Sequence, residues 1–168
     1  MHGVKAFAFD VDGVFAKSTV LLSPEGSLMR SMNTKDGFAV KYAIDQEIPI
    51  AIITGGREDS IRKRFNGLGV TDIYLNSMNK MEDFKDFLFK YGLETRDVLY
   101  MGDDIPDTEV LQEAGIATCP ADATPEVKRL AAYISPYKGG EGCVRDVIEQ
   151  VLKTQEKWEV KTTASYAQ

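Results

Sequence analysis

The 168-residue sequence is 43% hydrophobic with a formal net charge of −6, enough chain for one domain with a sizeable core and too acidic for general nucleic-acid binding, which needs a basic footprint. No stretch approaches the roughly 20 apolar residues of a membrane span, and the opening MHGVKAF lacks the regions of a secretory signal, so the chain reads as cytoplasmic. Its single histidine, His2, excludes Ser-His-Asp triads, Cys-His pairs and histidine metal clusters, and Cys119 and Cys143 lack zinc or disulfide-framework spacing, which leaves chemistry to carboxylates, Lys, Arg, Thr and Ser.

In chain order, Val4 to Phe9 is apolar without alternation and is followed by the turn residue Gly13, which predicts a strand buried on both faces with Asp10 and Asp12 at its carboxyl end. STVLLSPEGSLMRSM holds two short apolar runs around Ser23-Pro24-Glu25-Gly26 and predicts a hairpin flap over about 19–32. A helix capped by Asp36 and running to about Gln46 follows, then a buried strand in IPIAIITG, then a helix from Arg57 to Leu68 with basic outer positions. The unit repeats: TDIYLN with Lys80 to Tyr91, VLYMGDD with Pro106 to Ala114, IATCP with Thr124 to Ala132, and a last helix from Gly142 to Lys153. Strands alternating with helices predict an α/β fold, a Rossmann-like parallel sheet with helices on both faces, as a single domain over 1–153. Residues 154–168 have no period and read as a C-terminal extension, mobile or partly docked through Trp158.

In such a sheet ligands bind outside the carboxyl ends of the strands. That rule brings Asp10, Asp12, Thr54, Gly55, Gly56, Asn76 to Lys80, Asp103, Asp104 and Asp107 to one rim. Asp10 and Asp12, two apart on an extended chain, project to the same side and repel. Either one caps the turn while the other is solvated, or a cation sits between them. Oxygen-only ligands suit magnesium, and Asp10, Asp103 and the main-chain carbonyl of Asp12 form a coordination set with Asp104 or Asp107 behind it. Asp104 or Asp107 also reads as the cap of the helix that Pro106 opens, and Lys80 as a solvated lysine. A carboxylate can attack phosphorus without deprotonation, provided a cation offsets its repulsion from the phosphate. On that reading Asp10 attacks and Asp12 transfers protons, while Thr54, the Gly55 amide and Lys80 hold phosphoryl oxygens.

The ordered set Asp10-Val11-Asp12-Gly13, Thr54-Gly55-Gly56, Lys80 and Gly102-Asp103-Asp104-x-x-Asp107 resembles the four motifs of the haloacid dehalogenase superfamily of phosphatases, over residues 4 to 152. The resemblance implies Asp10 as nucleophile, Asp12 as acid/base, Thr54 and Lys80 as phosphate ligands, Asp103 as the metal carboxylate with Asp107 supporting it, and Mg2+ as cofactor. The gaps between motifs hold no cap domain, which implies a capless form whose open site a neighbouring subunit helps to close, with the flap as contact. The flap followed by NTKDG, then TGGR, and the late GGEGCVRDVIEQVL are similar to the capless phosphatases of 3-deoxy-D-manno-octulosonate 8-phosphate. Those are typically tetramers and serve lipopolysaccharide precursor synthesis, which implies a phosphorylated sugar acid as substrate and a homotetramer here. Arg57 or Arg64 can bind the sugar carboxylate bidentately, or form a solvated basic face. Gly56 favours the eight-carbon substrate over the nine-carbon 9-phosphate sugar acid, whose phosphatases resemble this chain but carry a glutamate there. Lys138 to Gly142 resembles a glycine-rich tail loop that can reach the site. Two further readings are an idle scaffold of the same fold and a phospho-accepting receiver domain; the latter takes its acceptor aspartate after the third strand, which here ends in Leu75-Asn76.

Overall fold

The computed structural model describes residues 1–159. In chain order the elements are β1 (Ala6–Phe9), β2 (Leu21–Leu22), β3 (Leu28–Met29), α1 (Thr34–Asp45), β4 (Ile50–Ile53), α2 (Asp59–Gly67), β5 (Asp72–Tyr74), α3 (Lys80–Tyr91), β6 (Val98–Met101), α4 (Thr108–Glu113), β7 (Ile116–Cys119), α5 (Pro125–Leu130), β8 (Tyr133–Ile134) and α6 (Cys143–Thr154). Six of the strands form one parallel sheet in the order β5-β4-β1-β6-β7-β8. From β1 the chain builds outward through β4 and β5 on one side and through β6, β7 and β8 on the other. The switch point therefore falls between β1 and β6, where a parallel sheet opens a crevice at its carboxyl edge.

Alternation sorts the buried strands between two layers. Phe7, Phe9, Ile50, Ile52, Leu99 and Met101 face a core shared with α1, α2 and α6. Ala6, Ala8, Ala51, Ile53, Val98 and Tyr100 face a second core shared with α3, α4 and α5. No cap domain is inserted: β1 is followed by the antiparallel hairpin β2–β3, closed by the Gly26 amide on the Ser23 carbonyl at 3.0 Å, within the expected flap.

Helix α3 spans the residues predicted, capped by Asn79 and stopped by the left-handed Gly92. Other boundaries differ from expectation. Asn33 rather than Asp36 caps α1, accepting from the Lys35 amide; Asp36 is buried in the first turn. Arg57 stands outside α2, which starts at Asp59. The segment after Pro106 divides into a 3-10 turn, Ile105–Asp107, and the short α4. Strand β8 was not anticipated; two residues are too few to show a period. Of the C-terminal extension, Trp158 packs on Tyr42 at 4.8 Å between centroids and meets Phe38 edge-on, while residues 160–168 lie outside the described residues.

Candidate active site

The Asp10 amide donates to the Met101 carbonyl at 3.1 Å, carrying the β1–β6 ladder one residue past β1. The chain then turns through Gly13, whose φ of +79° is left-handed and whose missing Cβ would lie 1.8 Å from the Asp103 Oδ2. Glycine is needed there on both counts. Behind this turn lies the Lys138 to Gly142 loop: a Cβ on Gly139 would sit 2.0 Å from the Gly13 carbonyl oxygen, and the Gly140 amide donates to the Val14 carbonyl at 2.8 Å. The loop thus supports the Asp10–Gly13 turn from behind.

The Asp10 carboxylate accepts from the Val11 amide at 2.7 Å and pairs with Lys80 at 2.9 Å. Lys80, first residue of α3, is buried rather than solvated and also pairs with Asp107 at 2.7 Å. Asp107, with no exposed surface, further accepts from the Tyr100 hydroxyl at 2.6 Å and from the Asp103 and Asp104 amides. The capping reading of the Gly102 to Asp107 segment is seen, with Asp104 and Asp107 forming a capping box, and Asp107 in addition holds Lys80. Asp103, at the end of β6, accepts from the Ser18 hydroxyl at 3.4 Å.

Burial, then the charge of Asp107, pushes the Asp10 carboxyl up to about 8 against the opposing pull of Lys80. Burial, then Asp107 and Asp104, raises Asp103 to about 7. For Lys80, the attraction of Asp10 and Asp107 outweighs burial and raises it. Three buried acids face one lysine, so the pocket is short of positive charge. Asp10, Asp103 and Asp107 each bring an oxygen within 4.8 Å of the others. Such an oxygen-only, electron-rich set fits a hard divalent cation, which would favour the ionised carboxylates. Asp107 already accepts four hydrogen bonds, so Asp10 and Asp103 are the acids with free lone pairs. The Asp12 carboxylate stands apart: Arg30 donates to it at 2.5 and 3.0 Å.

A cleft of about 420 Å³ opens over these groups, lined by Asp10, Asp12, Thr54, Gly55, Gly56 and Lys80 with Ser18, Ser77, Met78, Asp103, Asp104 and Pro106. Buried Thr54 accepts from the Gly56 amide at 3.1 Å, which leaves its hydroxyl proton for a ligand. Arg57 and Arg64 are exposed and do not line this cleft; Arg64 lies over Gly37 of α1. Sequence reasoning missed Arg30, Ser18 and Tyr100. Tyr100 did carry a signal: a hydroxyl in a fully buried strand needs a partner.

Fold and site together define a capless phosphatase of the haloacid dehalogenase type. The family model for a haloacid dehalogenase-like hydrolase matches residues 64–148. The chain is 32% identical over 162 residues to the 3-deoxy-D-manno-octulosonate 8-phosphate phosphatase of Yersinia pestis, covering 96% of this chain and 87% of the relative. The crystal structure of a Yersinia pestis phosphatase of that name superposes with a TM-score of 0.92 at 31% identity, covering 95% and 86% of the two chains. The Moraxella catarrhalis enzyme, solved in complex with magnesium ion, phosphate ion and a KDO molecule, superposes with a TM-score of 0.90 at 29% identity, covering 94% and 90%. The chain belongs to the haloacid dehalogenase-like hydrolases and, within them, to the family of the 3-deoxy-D-manno-octulosonate 8-phosphate phosphatases.

Proposed function

We propose that this chain hydrolyses 3-deoxy-D-manno-octulosonate 8-phosphate to the free sugar acid and phosphate through an aspartyl-phosphate on Asp10. The observation that carries this is the convergence of Asp10, Lys80, Thr54 and Asp103 on one cleft next to a separately held Asp12. Thr54, Lys80 and the Gly55 amide receive the phosphoryl oxygens. An Asp10 oxygen attacks phosphorus as the bond to the sugar oxygen breaks, and Asp12 delivers a proton to that leaving oxygen. Asp12 then takes a proton from the water that attacks phosphorus in the acyl phosphate, which frees phosphate and restores Asp10. Asp10, Asp103 and the Asp12 main-chain carbonyl would hold magnesium, which would supply the charge that lets a carboxylate approach a phosphate dianion.

Arg57 and Arg64 remain in the proposal as ligands of the sugar carboxylate only by way of a neighbouring copy, since neither lines its own cleft. A homotetramer in which copies close each other's sites is supported by the flap, whose Val20, Leu21, Leu22 and Met29 are exposed apolar side chains. Among the described residues no helix is long and apolar enough to cross a membrane. We assign the reaction to the cytoplasm, which the free thiols of Cys119 and Cys143 support.

The test is phosphate release, with and without magnesium, from the eight-carbon 8-phosphate sugar acid, the nine-carbon 9-phosphate sugar acid and an aryl phosphate. Magnesium-dependent preference for the first is expected. Preference for the nine-carbon compound would overturn the use of Gly56, and release from none would leave the idle scaffold.

A further inference from the structure

Arg30 follows β3 at the base of the flap, a segment otherwise open to solvent, yet its side chain is only 5% exposed. Its guanidinium donates from Nε and Nη2 to the two oxygens of Asp12, and from Nη1 to Glu58 at 2.8 Å and to the Leu28 carbonyl at 3.1 Å. Glu58, just before α2, is itself fixed by accepting from the Arg57 amide at 3.2 Å. Gly56 completes the seat: a Cβ there would lie 2.7 Å from the Ile61 Cδ1 and 3.3 Å from the Arg30 Nη2, so its bare Cα leaves room for the guanidinium. Two segments, the flap base and the 56–58 turn, thus hold one guanidinium against a half-exposed carboxylate, and among the described residues Arg30 alone donates side-chain hydrogen bonds to it.

Energetics favour a role beyond stability. Arg30 is desolvated, and a buried ion pair is often no more stabilising than well-packed apolar side chains in its place, while ordering an arginine side chain costs up to about 2 kcal/mol. A planar fork does fix both position and plane of a carboxylate, which a lysine cannot. Proton transfer needs that: a misplacement of about 1 Å can cost 100-fold.

We infer that Arg30, seated by Glu58 and Gly56, is the positioning residue for Asp12, so that the flap base sets the orientation of the acid that protonates the leaving group. Arg30 stays charged throughout and exchanges no proton. Gly56 on this account also admits Arg30, beside its part in substrate choice. The inference rests on the phosphatase reading above and deepens it.

The experiment measures kcat/KM of Arg30→Ala, Arg30→Lys and Glu58→Gln full-length chains, with magnesium, on the eight-carbon 8-phosphate sugar acid and on p-nitrophenyl phosphate. This ratio reports steps up to departure of the leaving group, and nitrophenolate leaves without a proton. Arg30→Ala is expected to lose roughly 10- to 100-fold on the sugar phosphate, within the range general acid catalysis supplies, and less than about 3-fold on the aryl phosphate. Glu58→Gln should show the same asymmetry more weakly, and Arg30→Lys should recover part of the loss. In an Asp12→Asn background Arg30→Ala should cost almost nothing more. Equal losses on both substrates, no loss on either, or a rise in KM for the sugar acid alone would each overturn the inference. If Arg30→Ala fails to fold in a thermal melt, the Glu58→Gln and Arg30→Lys comparison decides by the same criteria. A wild-type chain inactive on both substrates would instead remove the phosphatase reading, and this inference with it.

Discussion

Asp107 shows how one side chain can cap a turn and hold a buried lysine at once. Its two oxygens cap a 3-10 turn and hold Tyr100 and Lys80 in a fully buried position. Breaking such a buried network by removing its charge costs roughly 3–5 kcal/mol, so Asp107→Asn should lower the thermal midpoint sharply and reduce turnover. Asp104→Asn, at an exposed cap, should cost about 1 kcal/mol; equal losses in a denaturant melt would contradict this assignment. Asp36 offers a second test. It accepts from the Arg145 amide at 2.8 Å, one of its oxygens is buried without a partner, and burial raises it from 3.8 to about 6 against the amides of Arg145 and Gly142. A folded value above the unfolded one means that the folded chain keeps a proton the unfolded chain releases. That stabilisation is present below about 4 and is lost as pH rises through about 6, a change on the order of 3 kcal/mol. Urea melts from pH 4.5 to 7.5 should therefore show the wild type losing more stability with rising pH than Asp36→Asn; parallel profiles would refute it. The sequence showed which acids gather at the rim, because strand ends are local features. It did not show Arg30, whose contact with Asp12 joins residues 18 apart through a flap that no local pattern orients.

At the scale of elements, the glycine-rich loop before α6 packs against the Asp10–Gly13 turn through backbone contact. Gly139→Ala must displace the Gly13 carbonyl, and overpacking of this kind costs about 1–3 kcal/mol. The variant should lose both stability and phosphate release, whereas Gly3→Ala, whose Cβ meets nothing, should be silent in the same thermal melts and assays. Helix α3 could be read to the residue because Asn79 and Gly92 are local start and stop signals. Helix α1 could not: Asn33 and Asp36 both suit a cap, and Asp36 is diverted by tertiary contact with the start of α6. The flap was legible as a hairpin from its turn residues, while its contact with a neighbouring subunit is implied only by the family resemblance. Leu21→Ser with Leu22→Ser should shift the proposed tetramer to smaller species in sedimentation; an unchanged mass would remove the flap from the interface.

Across the whole molecule, alternation of strands and helices was enough to predict the parallel sheet, and the carboxyl-edge rule then picked out residues that line one cleft. The strand order, with its switch between β1 and β6, is what brings Asp10 and Asp103 together from positions far apart in the chain. The surplus of negative charge there makes the fold itself a reporter of the cation. Magnesium at 100 times its dissociation constant should stabilise the chain by about 2.7 kcal/mol, an upward shift in melting temperature that chelation reverses and that Asp103→Asn abolishes.

The claim on which the account turns is that Asp10 becomes phosphorylated. The most direct measurement is acid-quenched peptide mass spectrometry during a single turnover of the eight-carbon 8-phosphate sugar acid with magnesium. A transient phosphoryl adduct on Asp10, absent from Asp10→Asn together with phosphate release, is the result predicted. Turnover with no adduct at any time, and phosphate release preserved in Asp10→Asn, would contradict it.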